Sequence, residues 1–324
     1  MNNDYTCWVV TEGLAGTENQ CLGLAEALGL KPVVKRIQLN SPWRELSPYL
    51  RIANHRAISK LGDQIAPPYP DLLIASGRKS IAASLAIKKL SPKTVRIQIQ
   101  DPRINPKHFD LVVVPQHDKA RGKNVMVTVG ALHKVTKDLL NSELKKFAHL
   151  LDLKKPVIAV LIGGKSKAHD MPTALTEKIC FDLKALQEKM NASVLVTASR
   201  RTGENNRNIL KQNLSGKNFY FWDGEGANPY FAYLAIADYI FVTNDSVSMA
   251  SEALETGKPL YVIPLVGGGK RLNLFHALLV DQGYSKEFDG TIDDWVYTPP
   301  HDTDKVKERV LALLKERTNA HVTS

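Results

Sequence analysis

Apolar and polar positions fall into two series in which short strand-like runs alternate with helix-period segments. The first series has strand-like runs at 7–10, 33–39, 72–75, 95–99 and 111–114, with helical patterns at 19–28 and 80–90. The second has runs at 157–162, 194–197, 219–221, 239–242 and 260–263. Helical patterns lie between them at about 175–190, 205–213 and 230–236. Strands that alternate with helices in this way predict parallel sheets covered on both faces. A lysine-rich helical stretch, 137–155, ends before Pro156 and separates the two series. The pattern therefore predicts an α/β chain of two Rossmann-like, doubly wound domains, 1–150 and 151–300, followed by a tail, 301–324, with a helix at 304–317. In such sheets ligands bind beyond the carboxyl ends of the strands, and a cleft between two such halves is the expected site.

Composition narrows the class. The 324 residues suit about two domains, and 44% hydrophobic with 23% charged residues fits a globular protein. No apolar run approaches the ~18 residues of a membrane span, and MNNDYTCWVV has neither the basic nor the apolar region of a secretory signal. Cys7, Cys21 and Cys180 form no CxxC pair, which points to buried thiols in a reducing cytoplasm.

Charge changes the picture more. Residues 1–155 hold 24 Lys+Arg against 13 Asp+Glu, and residues 156–324 hold 19 against 20. A basic first half calls for an anionic partner, such as lipid headgroups or a phosphorylated glycolipid. Nucleic acid is disfavoured, because no aromatic–basic interleaving appears. Within 43–61, Trp43, Leu46, Leu50, Ala57 and Leu61 fall near helical spacing among Arg44, Arg51, Arg56 and Lys60. That mix suits a helix at a membrane interface or one packed on a core.

The richest segment for chemistry is 239–264. Two strand-like runs flank the polar turn Thr243-Asn244-Asp245-Ser246 and a helix carrying Ser248, Met249 and Glu252, stopped by Gly257 and Pro259. Backbone N–H groups and small hydroxyls at a helix N-terminus favour an anion, and a carboxylate nearby can accept from two adjacent hydroxyls. A ribose-linked diphosphate presents both. The same residues also suit an ordinary capped strand–turn–helix. Other strand ends of the second half add Gly163 and Gly164, then Ser199 and Arg200 beside Arg201, which is phosphate-clamp chemistry.

In the first half, Glu12, Gly13 and Gly16 precede a helix that opens near Thr17. Further strand ends carry Arg78 in SGRKS, Asp101 and Arg103 in QIQDPR, and His117 in VPQHD. No HExxH, zinc-ligand cysteine set or GxSxG is present, and Ala159 stands where a phosphate-binding P-loop needs glycine. The expectation is no metal and no cofactor, with cationic side chains and helix N-termini neutralising a leaving diphosphate.

TEGLAGTENQCLGLAEALG, SGRKS, QIQDPR, FDLVVVPQHD, LIGG, TASRRTG and TNDSVSMASEA together resemble the elongated-mitochondria family, named for plant mitochondrial-fission proteins. The resemblance spans most of 5–290. Where the family commonly has Asp before the first loop glycine, this chain has Glu12. Bacterial members are read as glycosyltransferases of lipooligosaccharide core assembly. The resemblance thus implies a GT-B architecture, with the acceptor on the first domain, the nucleotide-sugar donor on the second, and a terminal helix returning to the first. On that reading Gly163, Gly164, Ser199, Arg200, Asn244, Ser246, Ser248, Met249 and Glu252 hold the donor. Gly13, Gly16, Arg78, Arg103 and His117 line the acceptor side. Glu12 is the general base of an inverting transfer, with Asp101 in reserve. The expected location is cytoplasmic, peripheral on the inner-membrane face. A non-catalytic recruitment protein on the same scaffold and a nucleotide-sugar epimerase stand as alternatives.

Overall fold

The computed structural model describes residues 5–322, and the side chains of 5–319. The chain forms two compact units. One takes the chain up to Lys134 and again from His301, and the other is Val135–Pro300.

The first unit contains β1 (Cys7–Thr11), α1 (Ala15–Ala27), β2 (Val33–Arg36), α2 (Trp43–Leu46), β3 (Leu72–Ser76), α3 (Ser80–Leu90), β4 (Val95–Ile99), β5 (Leu111–Pro115) and β6 (Val125–Thr128). The strands form one parallel sheet in the order β2-β1-β3-β4-β5-β6. β1, β3 and β4 are buried along their whole length, which is why they read as unbroken apolar runs rather than as alternation. On one face, Cys21 and Leu24 of α1 and Leu28 just after it pack with Val9, Ile74 and Ile97. Val306, Val310 and Leu314 of the C-terminal helix Asp302–Val322 join that cluster. On the other face, Ala83 and Ile87 of α3 meet Trp8, Val10, Leu73 and Ala75. The Asp302 carboxylate accepts from the amides of Val129 (2.8 Å) and Gly130 (3.1 Å), and Arg317 pairs with Asp110 at 2.8 Å.

The second unit contains α4 (Lys137–Lys146), β7 (Val157–Ile162), β8 (His169–Asp170), α5 (Thr173–Met190), β9 (Ser193–Ala198), α6 (Glu204–Asn213), β10 (Phe219–Trp222), α7 (Tyr230–Ile236), β11 (Tyr239–Thr243), α8 (Val247–Leu254), β12 (Leu260–Ile263), β13 (Val266–Gly267), α9 (Lys270–Asp281) and β14 (Ser285–Glu287). Its parallel sheet runs β10-β9-β7-β11-β12-β14, and β8 pairs with β13 as a small antiparallel ribbon. Strand order reverses between β1 and β3 in the first unit and between β7 and β11 in the second. A doubly wound sheet opens its ligand crevice at such a reversal.

Several expectations need correction. The division falls at 134/135 rather than at 150, because α4 packs on α7 of the second unit. The helix expected over 137–155 stops at Lys146 and continues as a 3-10 turn, Ala148–Asp152. No continuous helix spans 43–61: only Trp43–Leu46 and the 3-10 turn Asn54–Arg56 form, with Pro48 between them. The run at 33–39 ends as a strand at Arg36. β6, α9 and β14 were not anticipated.

Redrawing the charge count on these units leaves the asymmetry in place. The first holds 24 Lys+Arg against 14 Asp+Glu, and the second 19 against 19. All three cysteines are free and buried, and burial raises the Cys180 thiol to about 11. Among the described residues no helix is long and apolar enough to cross a membrane.

Candidate functional site

In the second unit the carboxyl ends of β7 and β11 are knotted together at the reversal. The Thr243 hydroxyl accepts from the Gly163 amide (2.7 Å) and donates to the Asp245 carboxylate (2.6 Å). That carboxylate also accepts from the Gly164 amide (3.1 Å) and from Arg201 (2.5 Å). The Asp245 side chain is fully buried. A Cβ on Gly163 would collide with it, and one on Gly164, whose φ is +152°, would strike the Arg201 carbonyl. Both glycine amides are therefore already engaged. What the pair offers a ligand is close approach, not free donors.

Ser246 caps α8, its hydroxyl accepting from the Met249 amide at 3.3 Å. The other first-turn amides, at Val247 and Ser248, have no acceptor within the helix, as at any helix start. Asn244 is structural on its carbonyl side: its side-chain oxygen accepts from the Leu265 amide (3.0 Å), while its backbone oxygen meets His276 Nε2 (2.8 Å). Glu252 accepts a 2.5 Å hydrogen bond from the Tyr230 hydroxyl. Burial first, then the Glu252 charge, holds that phenol well above its ordinary value.

The two neighbouring arginines divide their roles. Arg201 reaches inward to Asp245, whereas Arg200 is exposed and has no hydrogen-bond or ion-pair partner among the described residues. The Ser199 hydroxyl accepts from the Arg201 amide (3.1 Å) and keeps its own proton to donate.

In the first unit, Glu12 stands at the β1/β3 reversal. Its carboxylate takes the Lys79 amide (3.1 Å) and the Lys79 ammonium (2.9 Å), and so sits against the start of α3. The loop behind it is held by Glu18, which pairs bidentately with Arg36 (2.7 and 2.9 Å) and accepts from Thr11 (3.2 Å). The Arg36 guanidinium keeps the Glu18 carboxyl below the usual range. Gly13, at φ +81°, donates to the Thr11 hydroxyl (3.0 Å).

Gly16 is not in this loop: it lies in the first turn of α1, and a Cβ there would meet nothing. Asp101 closes a turn by accepting the Arg103 amide (2.7 Å), with Arg103 exposed at φ +57°. Arg78 is exposed and its carbonyl accepts from Ser47 (2.9 Å), and His117 is half-buried just beyond β5. Glu12, Arg78, Asp101 and His117 thus follow four neighbouring parallel strand ends or turns on one edge of one sheet.

Sequence reasoning passed over Lys79, Tyr230, Asp245 and the separate task of Arg201. Lys79, Asp245 and Arg201 lie within the motifs quoted above and Tyr230 at the start of a predicted helix, but pairing across strands is not visible in spacing.

With this geometry in place, comparison with known proteins decides the family. The mitochondrial fission ELM1 model matches residues 15–314. The chain belongs to the mitochondrial fission ELM1 family. It is 27% identical to mitochondrial fission protein ELM1 of Arabidopsis thaliana, over 95% of this chain and 91% of that one. It is also 27% identical to an uncharacterized protein of Rickettsia prowazekii, over 95% and 98%. In fold, this ELM1-family chain resembles UDP-GlcNAc 2-epimerase from Methanocaldococcus jannaschii, with TM-score 0.58, 12% identity, and 96% and 99% of the two chains covered. It likewise resembles Acinetobacter baumannii MurG, with TM-score 0.50, 13% identity, and 97% and 93% covered. These likenesses show a GT-B fold of paired Rossmann-like units.

Proposed function

We propose that this chain transfers a sugar from a nucleotide-diphosphate sugar to an anionic glycolipid, without a metal. The observation that carries the reading is the β11–α8 turn. There Ser246 caps a helix that also bears Glu252, beside the close glycine pair and an unpaired Arg200. Glu252 takes the ribose hydroxyls. Ser248 at the helix start, with Ser199 and Arg200, takes the diphosphate, while the Met249 amide stays on the Ser246 cap. The positive potential of the helix start and Arg200 stabilises its departure. Epimerases of similar fold are described as bound to UDP-GlcNAc, which supports a nucleotide-sugar ligand here.

The acceptor side is the first unit, whose net charge of +10 suits a phosphorylated glycolipid at a cytoplasmic membrane face. Glu12 acts as general base on the acceptor hydroxyl, giving inversion, and Asp101 is the reserve. For Glu12 to accept that proton, one of its oxygens must exchange Lys79 for the acceptor hydroxyl. A carboxylate with several lone pairs can do so while Lys79 still holds its other oxygen.

Calorimetry against UDP-, GDP-, ADP- and CMP-linked sugars tests the donor assignment. Binding of one class, lost in Glu252→Ala, is the expected result, and no binding in the panel removes the reading. Two other readings have observations behind them. The Arabidopsis relative is named for mitochondrial fission and not for a catalysed reaction, which favours a non-catalytic recruitment protein on the same scaffold; absence of nucleotide affinity is what that reading predicts. The epimerase likeness favours a reaction that turns over donor alone, which product analysis without acceptor reveals.

A further inference from the structure

The excursion between β2 and β3 is long and almost without regular structure, yet it is firmly tied from within. Trp43 Nε1 donates to the Ile52 carbonyl (2.9 Å), the Ser47 hydroxyl to the Arg78 carbonyl (2.9 Å), and the Asn54 side-chain Nδ2 to the Arg51 carbonyl (2.9 Å). Ala57 packs in the cluster with Ile37, Leu39 and Ala83. These ties reverse the usual partition. The loop buries Ser47, Asn54 and Ser59, while Leu46, Tyr49, Ile52 and Leu61 are 52, 66, 71 and 83% exposed. Long ordered loops that hold apolar side chains in water mark interaction surfaces.

The surroundings say what covers it. Arg44 is neutralised by Glu45 at 2.7 Å. Arg51, Arg56 and Lys60 are exposed on the same loop, and the unit that carries it holds the chain's whole net charge. A second copy of so basic a surface would be repelled. Exposed apolar side chains interspersed with exposed cations along one loop match a bilayer with anionic headgroups, where the apolar groups enter below the phosphates and the cations stay among them. Two modest signals of this kind together make reversible attachment.

We propose that the loop from Trp43 to Leu61 docks the first unit onto an anionic lipid bilayer, with Leu46, Tyr49, Ile52 and Leu61 entering the interface. This rests on the membrane-acceptor reading above and gives it a location. The Ser47–Arg78 bond ties the loop to the turn carrying Lys79, which holds Glu12. Docking would thus set the proposed base end of this sheet beside the lipid.

The test is sedimentation with vesicles of phosphatidylcholine, alone or mixed equally with phosphatidylglycerol. The full chain should bind only the mixed vesicles, and less so in high salt. The triple variant Leu46→Ser, Tyr49→Ser, Ile52→Ser should lose roughly 10²-fold in partition, and so should Arg51→Gln, Arg56→Gln, Lys60→Gln at about tenfold or less per charge. All six positions are exposed, so unchanged melting temperatures would show both proteins folded. In Ile52→Trp, emission should shift to the blue on the mixed vesicles. Either triple variant binding like the parent overturns the loop while leaving membrane attachment standing. A parent chain that ignores the anionic vesicles overturns both.

Discussion

The Tyr230 hydroxyl donates to the Glu252 carboxylate at 2.5 Å, joining α7 to α8. An ionised carboxylate accepts at about four lone-pair sites, so a bond from Tyr230 is compatible with bonds from ribose hydroxyls as well. It also fixes the rotamer that would receive them. Tyr230→Phe should therefore weaken nucleotide diphosphate binding by roughly 3- to 10-fold, the worth of one positioning hydrogen bond, and Glu252→Ala should weaken it further. Calorimetry reads both, and equal affinity in all three proteins would detach this pair from the ligand.

Arg200 and Arg201 should separate cleanly. Arg201 serves the buried Asp245, so Asp245→Asn should cost about 1–3 kcal/mol in urea unfolding; the half-exposed arginine can then turn to water, which keeps the loss below that of a fully buried pair. Arg200→Ala should leave stability within about 0.5 kcal/mol yet weaken diphosphate binding by roughly tenfold or more. Should Arg200→Ala bind diphosphate like the parent, the cation at this site is another residue.

Glu12 meets Lys79 through both carboxylate oxygens. Glu12→Gln keeps the shape and can still accept the Lys79 amide. If Glu12 is the base, this variant should retain donor affinity while transfer slows by about 10²-fold or more. Single-turnover assays with saturating donor measure it. Wild-type turnover there would pass the role to Asp101, whose Asp101→Asn variant would then show the loss.

His133 predicts an acid-sensitive first unit. It lies buried where the chain crosses Gly23 of α1, and burial lowers its imidazole from 6.5 to about 4. The unfolded chain binds a proton more readily between those values. Stability from the neutral ring is thus full above about pH 6.5 and falls as pH drops towards 4, by about 3 kcal/mol in all. Buried Asp302, whose carboxyl is raised mainly by burial, works in the opposite sense, so the comparison must be between proteins. His133→Gln should show a smaller loss of urea midpoint between about pH 7.5 and about pH 4.5 than the parent. Parallel losses in the two would remove His133 from the acid response.

The sequence by itself determined the elements that a continuous core demands. The strands expected at 95–99, 157–162 and 260–263 and the helices at 80–90 and 230–236 have the same bounds in the fold. The strands are buried along their length, so their pattern is local and unbroken. The polar turns at strand ends were visible for the same reason, since each interrupts an apolar run. Tertiary structure alone decided the rest. β6 and β14 are partly exposed edge strands with mixed patterns, so only their neighbours hold them in the sheet.

The terminal helix joins the first unit through Asp302 and the Val129 and Gly130 amides, more than 170 residues away in the chain. Which of two adjacent arginines turns inward depends on a carboxylate 44 residues onward. Hydrophobic periodicity is set by neighbours along the chain and can be read there. Partner choice among buried polar groups is set by which strand ends the sheet brings together, and exists only once the sheet has formed.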